Sequence, residues 1–335
     1  MKSRIPTSNR PMLSVVIPVH NEAEVIPLLL PRLSKVCRSI GGSVELLFID
    51  DGSRDNSVAL LFQARLSNPD IRVLQLSRNF GKEAAVSAGL SHASGDAIVL
   101  LDADLQDPPE LIPDMVREWQ KGADVVLMKR RSRAGESWLK RTTASLFYRT
   151  INKISDAPIP VDTGDFRLMS RRTVDALNEL PERNRYLKGM FAWVGMKTVT
   201  LEFDRDPRIA GQTKWNYLKL MHLAMEGITS FSTRPLRIAL VLGLMAATCG
   251  GLFGTWEVIR ALVYGISTPG YASMIAMITF LSGIQLLCVG LLGEYVGRIY
   301  METKQRPVFI VAEDSNESAR HFVPQLRVAG NDQKH

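Results

Sequence analysis

Ala97-Ile-Val-Leu-Leu-Asp-Ala-Asp-Leu-Gln-Asp107 is the stretch on which the reading of this chain turns. An apolar run, Ala97 to Leu101, stops at two carboxylates spaced i, i+2, with an amide two residues further on. In extended backbone that spacing sets Asp102, Asp104 and Gln106 on one side. A buried strand that releases oxygen ligands at its carboxyl end can hold a hard divalent cation, Mg²⁺ or Mn²⁺, against phosphates. Acidic residues after a strand also solvate ordinary turns, so the neighbouring segments must decide.

Those neighbours alternate strand and helix. Leu13–Val19 reads as a strand, Glu22–Cys37 as an amphipathic helix, and Val44–Ile49 as a strand stopped by Asp50-Asp51-Gly52-Ser53. Ser57–Leu66 is a helix, Ile71–Leu76 a strand, and Lys82–Ala93 a helix rich in small residues. Beyond the opening stretch, Pro109–Gln120 is a helix and Asp124–Met128 a strand. Repeated strand–helix units with fully apolar strands predict an α/β fold: a Rossmann-like, mostly parallel sheet with helices on both faces. Ligands of such sheets lie at the carboxyl ends of the strands. Three acidic clusters fall there: Asn21-Glu22, Asp50-Asp51 and Asp102/Asp104. The chain has neither a Gly-x-Gly-x-x-Gly after its first strand nor a Gly-x-x-x-x-Gly-Lys-Ser/Thr loop. A nucleotide here would be gripped by carboxylates on ribose or base and by a metal on its diphosphate.

The last third differs. Ile238–Trp256 and Tyr271–Gly293 carry no charged residue, and each approaches the roughly 20 residues that cross a bilayer as a helix. Arg234 and Arg237 precede the first run, and Arg298, Lys304 and Arg306 follow the second. The positive-inside rule then sets both ends in the cytoplasm, giving a multi-pass membrane hairpin. Trp215–Phe231 separates Lys219, His222, Glu226 and Thr229 from Leu218, Met221, Met225 and Ile228, the pattern of an interfacial helix. The expected organisation is a cytoplasmic domain over 1–214, an interfacial helix over 215–232, and a hairpin over 233–300 with spans at about 236–258 and 271–293. A largely disordered cytoplasmic tail follows over 301–335, polar from Asp314 onward. Gly250/Gly254 and Gly293/Gly297 are small-xxx-small pairs that permit close helix contact, hence a homo-oligomer up to a tetramer. No signal peptide is expected: Met1–Pro11 is polar and basic, and Leu13–Val19 is too short. Cys37, Cys249 and Cys288 lie far apart, which argues against a disulfide framework and for a reducing compartment. The net charge of +7 suits a membrane surface, and no aromatic–basic interleave points to nucleic acid.

Taken together, Val15-Val-Ile-Pro-Val-His-Asn-Glu22, Ile49-Asp-Asp-Gly-Ser53 and Asp102-Ala-Asp-Leu-Gln106 resemble the signature order of family 2 glycosyltransferases with the GT-A fold. Asp162-Thr-Gly-Asp-Phe-Arg-Leu-Met169, Arg208-Ile-Ala-Gly-Gln-Thr-Lys214, Glu226-Gly-Ile-Thr-Ser-Phe-Ser232 and Leu292-Gly-Glu-Tyr-Val-Gly-Arg298 are similar to the polyprenyl-phosphate branch, bactoprenol glucosyltransferases above all. The likeness runs from about Leu13 to Pro307. It implies inverting transfer of a sugar from a nucleotide-sugar donor to a polyprenyl phosphate at the cytoplasmic face of a bacterial inner membrane. It also implies roles: Pro18, Asn21, Glu22 and Asp50 in substrate binding, with Asp50 on the nucleoside and Asp102 on ribose or base. Asp104 and Gln106 would meet the metal, Arg208 and Lys214 would close over the phosphates, and Arg131 would draw in the lipid phosphate. Asp165 would orient the acceptor, through Arg167, or act as base.

A lipid monophosphate with a second pKa of about 6 is largely ionised at neutral pH and needs no proton removed. UDP-glucose is the donor the resemblance favours; GDP-mannose and UDP-N-acetylglucosamine would use the same scaffold. Processive polysaccharide synthases share the early motifs, but their Gln-x-x-Arg-Trp is absent from this sequence. A sugar-nucleotide-binding membrane protein without catalysis is the other alternative.

Overall fold

Leu13–Val19, Val44–Asp50, Ile71–Leu76 and Ala97–Leu100 become strands β1 to β4, each almost wholly buried, as strands covered on both faces must be. The computed structural model describes residues 11–131, 163–183, 185–203, 234–264 and 270–316. Its further strands are β5 (Val125–Arg130), β6 (Thr163–Ser170), β7 (Thr198–Phe203) and β8 (Val311–Asp314). They form one sheet in the order β7-β5-β6-β4-β1-β2-β3-β8. The pairings β1–β2, β1–β4, β2–β3 and β5–β7 are parallel, and the three antiparallel ones all involve β6 or β8. The sheet is thus mostly parallel, as the strand–helix alternation predicts.

The helices among the described residues are α1 (Ile26–Ile40), α2 (Ser57–Ser67), α3 (Lys82–His92), α4 (Ile112–Gln120), α5 (Arg171–Asn178), α6 (Leu187–Val194), α7 (Arg234–Tyr264) and α8 (Tyr271–Thr303). α1 starts at Ile26 rather than Glu22: the Glu22 carbonyl accepts from Val25 and Ile26 N–H in a preceding turn, and a proline sits in the helix's first turn. Its end moves out to Ile40, where Gly41 takes a left-handed φ of 72° as cap.

α3 explains its own composition. Ala84, Ala85, Ala88 and Gly89 are buried, and a Cβ on Gly89 would lie 2.3 Å from Val16 Cγ1 and 2.8 Å from Ile49 Cδ1. Small residues let the helix approach the sheet closely, with its N-terminus at the strands' carboxyl edge. The parallel register holds that edge level, with Val19 beside Asp50 and Asp50 beside Gln75.

The chain divides into two units, one comprising 1–138, 160–214 and 307–335, and the other 139–159 and 215–306. In the second, α7 and α8 run 31 and 33 residues and contain apolar windows long enough to cross a membrane, Ala239–Trp256 and Phe280–Thr303. Leu240, Leu244, Trp256, Phe280 and Leu287 project outward, as on helices that bury their side chains in lipid. Among the described residues nothing packs into the glycine pairs: a Cβ at Gly250, Gly254, Gly293 or Gly297 would meet none of them within 4 Å. The expected interfacial helix over 215–232 lies outside the described residues.

One expectation is corrected. The tail does not leave the fold at residue 301, because Val311–Asp314 pairs antiparallel with β3 and closes that edge of the sheet. Arg72 donates from Nη2 to Asp314 Oδ2 at 2.5 Å and from Nε to Oδ1 at 3.1 Å, and from Nη1 to Glu45 at 3.2 Å. Burial pushes the Asp314 pKa up, but Arg72 outweighs it and holds the carboxyl below the ordinary range. The Ser315 hydroxyl accepts the Val73 N–H at 2.9 Å. Four residues that pair on one side only carry no periodicity to read, and their partner Arg72 is remote in sequence. Asp314→Ala is expected to destabilise this unit by roughly 2 kcal/mol, since it removes the charge-assisted hydrogen bonds of a largely buried guanidinium and leaves it Glu45 and the His92 carbonyl. Thermal unfolding of the full chain in detergent measures it, and an unchanged midpoint would contradict the strand's structural role.

Candidate active site

The loops after β1 and β2 lock together at the sheet's carboxyl edge. His20 Nδ1–H donates to the Asp51 carbonyl at 2.9 Å, and Asn21, at a left-handed φ of 58°, accepts Arg54 N–H on its side-chain oxygen at 2.8 Å. The Ser53 and Ser57 hydroxyls accept the N–H groups of Asn21 and Glu22, both at 2.9 Å. Asp50 is fully buried and accepts the Ser53 N–H; burial raises its pKa and the Ser53 hydrogen bonds partly offset this. Its neighbour Asp51 instead lines the cleft and accepts Phe80 N–H at 2.7 Å and Gly81 N–H at 2.9 Å. Those two bonds fix where α3 begins. Gly52 must be glycine there, with φ 66° and a Cβ position 2.5 Å from the Asn79 backbone nitrogen.

Past β4 the opening stretch keeps its two-residue alternation although it is no longer a strand. Ala103, Leu105 and Asp107 are buried, whereas Asp102, Asp104 and Gln106 are partly exposed. Leu105 takes φ 58°, unusual for a residue with a branched side chain, and is held there by burial at 1% exposure. The Gln106 N–H donates to Asp104 Oδ1 at 3.2 Å, closing the turn.

β6 brings in the other half. Its antiparallel register ends with Leu100 beside Arg167, and just beyond that pair Asp102 and Asp165 both reach one lysine. Lys82, the first residue of α3, lies between them, with Nζ 2.7 and 2.8 Å from the Asp102 oxygens and 2.6 Å from Asp165 Oδ2. Burial lowers the lysine's pKa, but the two carboxylates outweigh it and leave it raised. Burial likewise pushes Asp165 up, yet Lys82 and Lys188 overcome this and bring its pKa down to about 2. Arg167 stands behind, 4% exposed, donating to the carbonyls of Asp165 and Gly164 and lying 4.0 Å over the Phe191 ring. Burial lowers its pKa to about 10. Glu83 accepts the Leu187 N–H at the start of α6 at 3.3 Å, and burial together with Asp165 raises its pKa to about 7.

A cleft of about 320 Å³ opens here, lined by Pro18, Glu22, Asp51, Lys82, Asp102 and Asp104 among others. Of the residues singled out in the sequence, Pro18, Glu22, Asp102 and Asp104 line it, Asp165 joins them through Lys82, Asp50 and Arg167 are buried behind it, and neither the exposed Asn21 nor the partly exposed Gln106 is among the lining residues. Arg131 is exposed, its Nε 3.9 Å from Glu202. Arg208 and Lys214 lie outside the described residues. Lys82 and Glu83 are the members that motif reading passed over; their signal was Gly81-Lys-Glu83 opening the helix that follows β3. Among the described residues no cluster of three His, Cys, Asp or Glu side chains forms a metal cage. Asp104 and Gln106 nonetheless fit a hard cation, because they offer only oxygen donors from the side chains and leave coordination positions to a diphosphate.

Residues 14–177 match the profile of glycosyl transferase family 2, and residues 234–299 that of the GtrB C-terminal hairpin. The chain is 47% identical to the prophage bactoprenol glucosyl transferase homolog of Escherichia coli (strain K12), over 89% of its own length and 98% of that protein's. It is also 47% identical to the bactoprenol glucosyl transferase of Shigella phage SfV, over 91% of its length and 99% of the relative's. Among solved structures, glucosyl-3-phosphoglycerate synthase from Mycobacterium tuberculosis matches with a TM-score of 0.42 at 22% identity, covering 66% of this chain and 78% of that one.

Glu83 gives the site a pH signature. Between its ordinary value of 4.5 and about 7 the folded chain keeps a proton that the unfolded chain has released. Its contribution to stability is therefore complete below pH 4.5 and lost as the pH rises to about 7. Glu83→Gln, which keeps an acceptor for Leu187 N–H, is expected to melt above the parent at pH 8, with the gap closing by about pH 5. A gap independent of pH would contradict the assignment.

Proposed function

The chain belongs to glycosyl transferase family 2, in its polyprenyl-phosphate branch, and we propose that it transfers glucose from UDP-glucose to undecaprenyl phosphate. It is a membrane-associated glycosyltransferase with the GT-A fold, and its relatives support transfer to a prenyl phosphate. The observation that supports the finer reading is Lys82, which lines the cleft with Asp102 and Asp104 and contacts Asp102 and Asp165 together. In this reading donor-side and acceptor-side groups share one site. The glucosyl transferase names of the relatives support glucose as the sugar; GDP-mannose and UDP-N-acetylglucosamine are the alternative donors.

In this reading Asp102 accepts from the ribose or base and Asp51 keeps the α3 entrance in place, while Asp50, expected on the nucleoside, is fully buried and buttresses the turn from behind instead. Asp104 and Gln106 hold Mg²⁺ or Mn²⁺, which would act as a Lewis acid on the departing nucleoside diphosphate. Arg208 and Lys214 close over the phosphates, and Arg131 attracts the lipid phosphate. Asp165, held anionic down to about pH 2, is a poor proton acceptor, which supports orientation rather than general-base catalysis. A phosphate that is already ionised attacks the anomeric carbon directly, breaks the bond to the diphosphate and inverts the configuration. The hairpin serves to keep the site at the cytoplasmic face of the plasma membrane, with both termini inside. The glycine notches, into which no described residue packs, support self-association, up to a tetramer.

Full-length protein is to be incubated with undecaprenyl phosphate, Mg²⁺ or Mn²⁺ and each sugar nucleotide in turn. β-Linked glycolipid from UDP-glucose alone is the expected result; a different preferred donor corrects the sugar, and no product from any donor defeats the reading. Asp104→Ala is expected to lower turnover at least about 100-fold with the fold intact. Retained turnover with full metal dependence would remove Asp104 from the metal site.

A further inference from the structure

Lys82 is the lone ammonium or guanidinium among the described residues that line the cleft, facing the carboxylates of Glu22, Asp51, Asp102 and Asp104. An ammonium has three N–H donors. Two of them are spent in hydrogen bonds, one on Asp102 Oδ2 at 2.8 Å and one on Asp165 Oδ2 at 2.6 Å, and the second Asp102 oxygen lies 2.7 Å from the same ammonium. The side chain is nevertheless 47% exposed and fronts the cleft. A phosphate can thus reach the ammonium but finds its charge already shared between two carboxylates.

Asp102 is the partner that a donor would engage. Ribose hydroxyls or a base N–H arriving at Asp102 supply the hydrogen bonds that the ammonium now supplies. The N–H that Lys82 spends on Asp102, and its charge pairing with both Asp102 oxygens, are then released while the link to Asp165 remains. They are released beside Asp165, where an anionic acceptor must approach against a carboxylate.

Resting on the donor and acceptor sides assigned above, we infer that Lys82 is a shared cation through which an occupied donor site raises affinity for the acceptor phosphate. Asp102 pins it in the empty enzyme, and the nucleotide unpins it. The coupling is reciprocal, so the acceptor strengthens nucleotide binding by the same factor. Lys82 is in this respect a positioning residue whose availability reports on the donor site.

The test uses the full chain in detergent, with geranyl phosphate as probe, titrated calorimetrically with and without saturating UDP and Mn²⁺. The parent is expected to bind geranyl phosphate at least about fivefold more tightly with UDP present. Lys82→Met is expected to bind UDP but lose that ratio, and Lys82→Arg to keep part of it. Asp102→Asn frees the ammonium without nucleotide, so its UDP-free affinity is expected to rise toward the parent's UDP-bound value. Should Lys82→Met not fold, the Asp102→Asn arm decides. A ratio near one in a parent that binds UDP overturns the inference, as does an undiminished ratio in Lys82→Met or an unchanged UDP-free affinity in Asp102→Asn. A parent that binds neither UDP nor GDP overturns the donor reading, and the inference with it.

Discussion

One ammonium held between two opposed carboxylates is the interaction on which the site depends. β6 enters the sheet antiparallel to β4, and just past the last pair, Leu100 and Arg167, Asp102 and Asp165 converge on one lysine. Two carboxylates that close disfavour each other's charge. Lys82 removes the conflict by contacting both, 2.7 Å from one and 2.6 Å from the other. The position of that lysine is consequently a structural requirement before it is a chemical one. Everything that fixes the start of α3 bears on how the two halves of the cleft meet.

The start of α3 is fixed from three directions. Asp51 takes the N–H groups of Phe80 and Gly81, Gly52 gives way to the Asn79 backbone, and Glu83 reaches the first N–H of α6. Along its length the alanine-rich face and Gly89 let the helix lie against Val16 and Ile49. A larger residue at Gly89 would lift the helix from the sheet and Lys82 from its carboxylates together. Small residues in the middle of α3 are therefore coupled to charge placement at its end, and this gives the helix's composition a purpose that packing alone would not.

The legible parts of the sequence were those with a local cause. Apolar strands such as Val44–Asp50 announce themselves by burial on both faces, and acidic turns at their ends announce a ligand edge. The period of Asp102, Asp104 and Gln106 even survives past the end of the strand, because Leu105 between them is anchored in the core. What stayed illegible had a distant cause. Lys82 looks like any helix-opening lysine until β6, some eighty residues later, supplies its second carboxylate. Asp314 looks like the start of a polar tail until Arg72 claims it across more than two hundred residues. Asp50 and Asp51 are adjacent in sequence, and only the fold separates a buried buttress from a residue on the cleft wall.

The charges of the cleft also fit the chemistry assigned to the enzyme. A hydroxyl acceptor would call for a base with a pKa near the working pH. Asp165, drawn down to about 2 by its lysines, is the opposite of such a group. A phosphate acceptor reverses the demand: its nucleophile is already formed, and the difficulty lies in bringing it up to a second phosphate among carboxylates. Glu22, Asp51, Asp102 and Asp104 make that difficulty acute, and Lys82 alone among the cleft's described residues answers it. A site of this kind works by deciding where a few positive charges are spent. Binding the donor is the step that changes the decision.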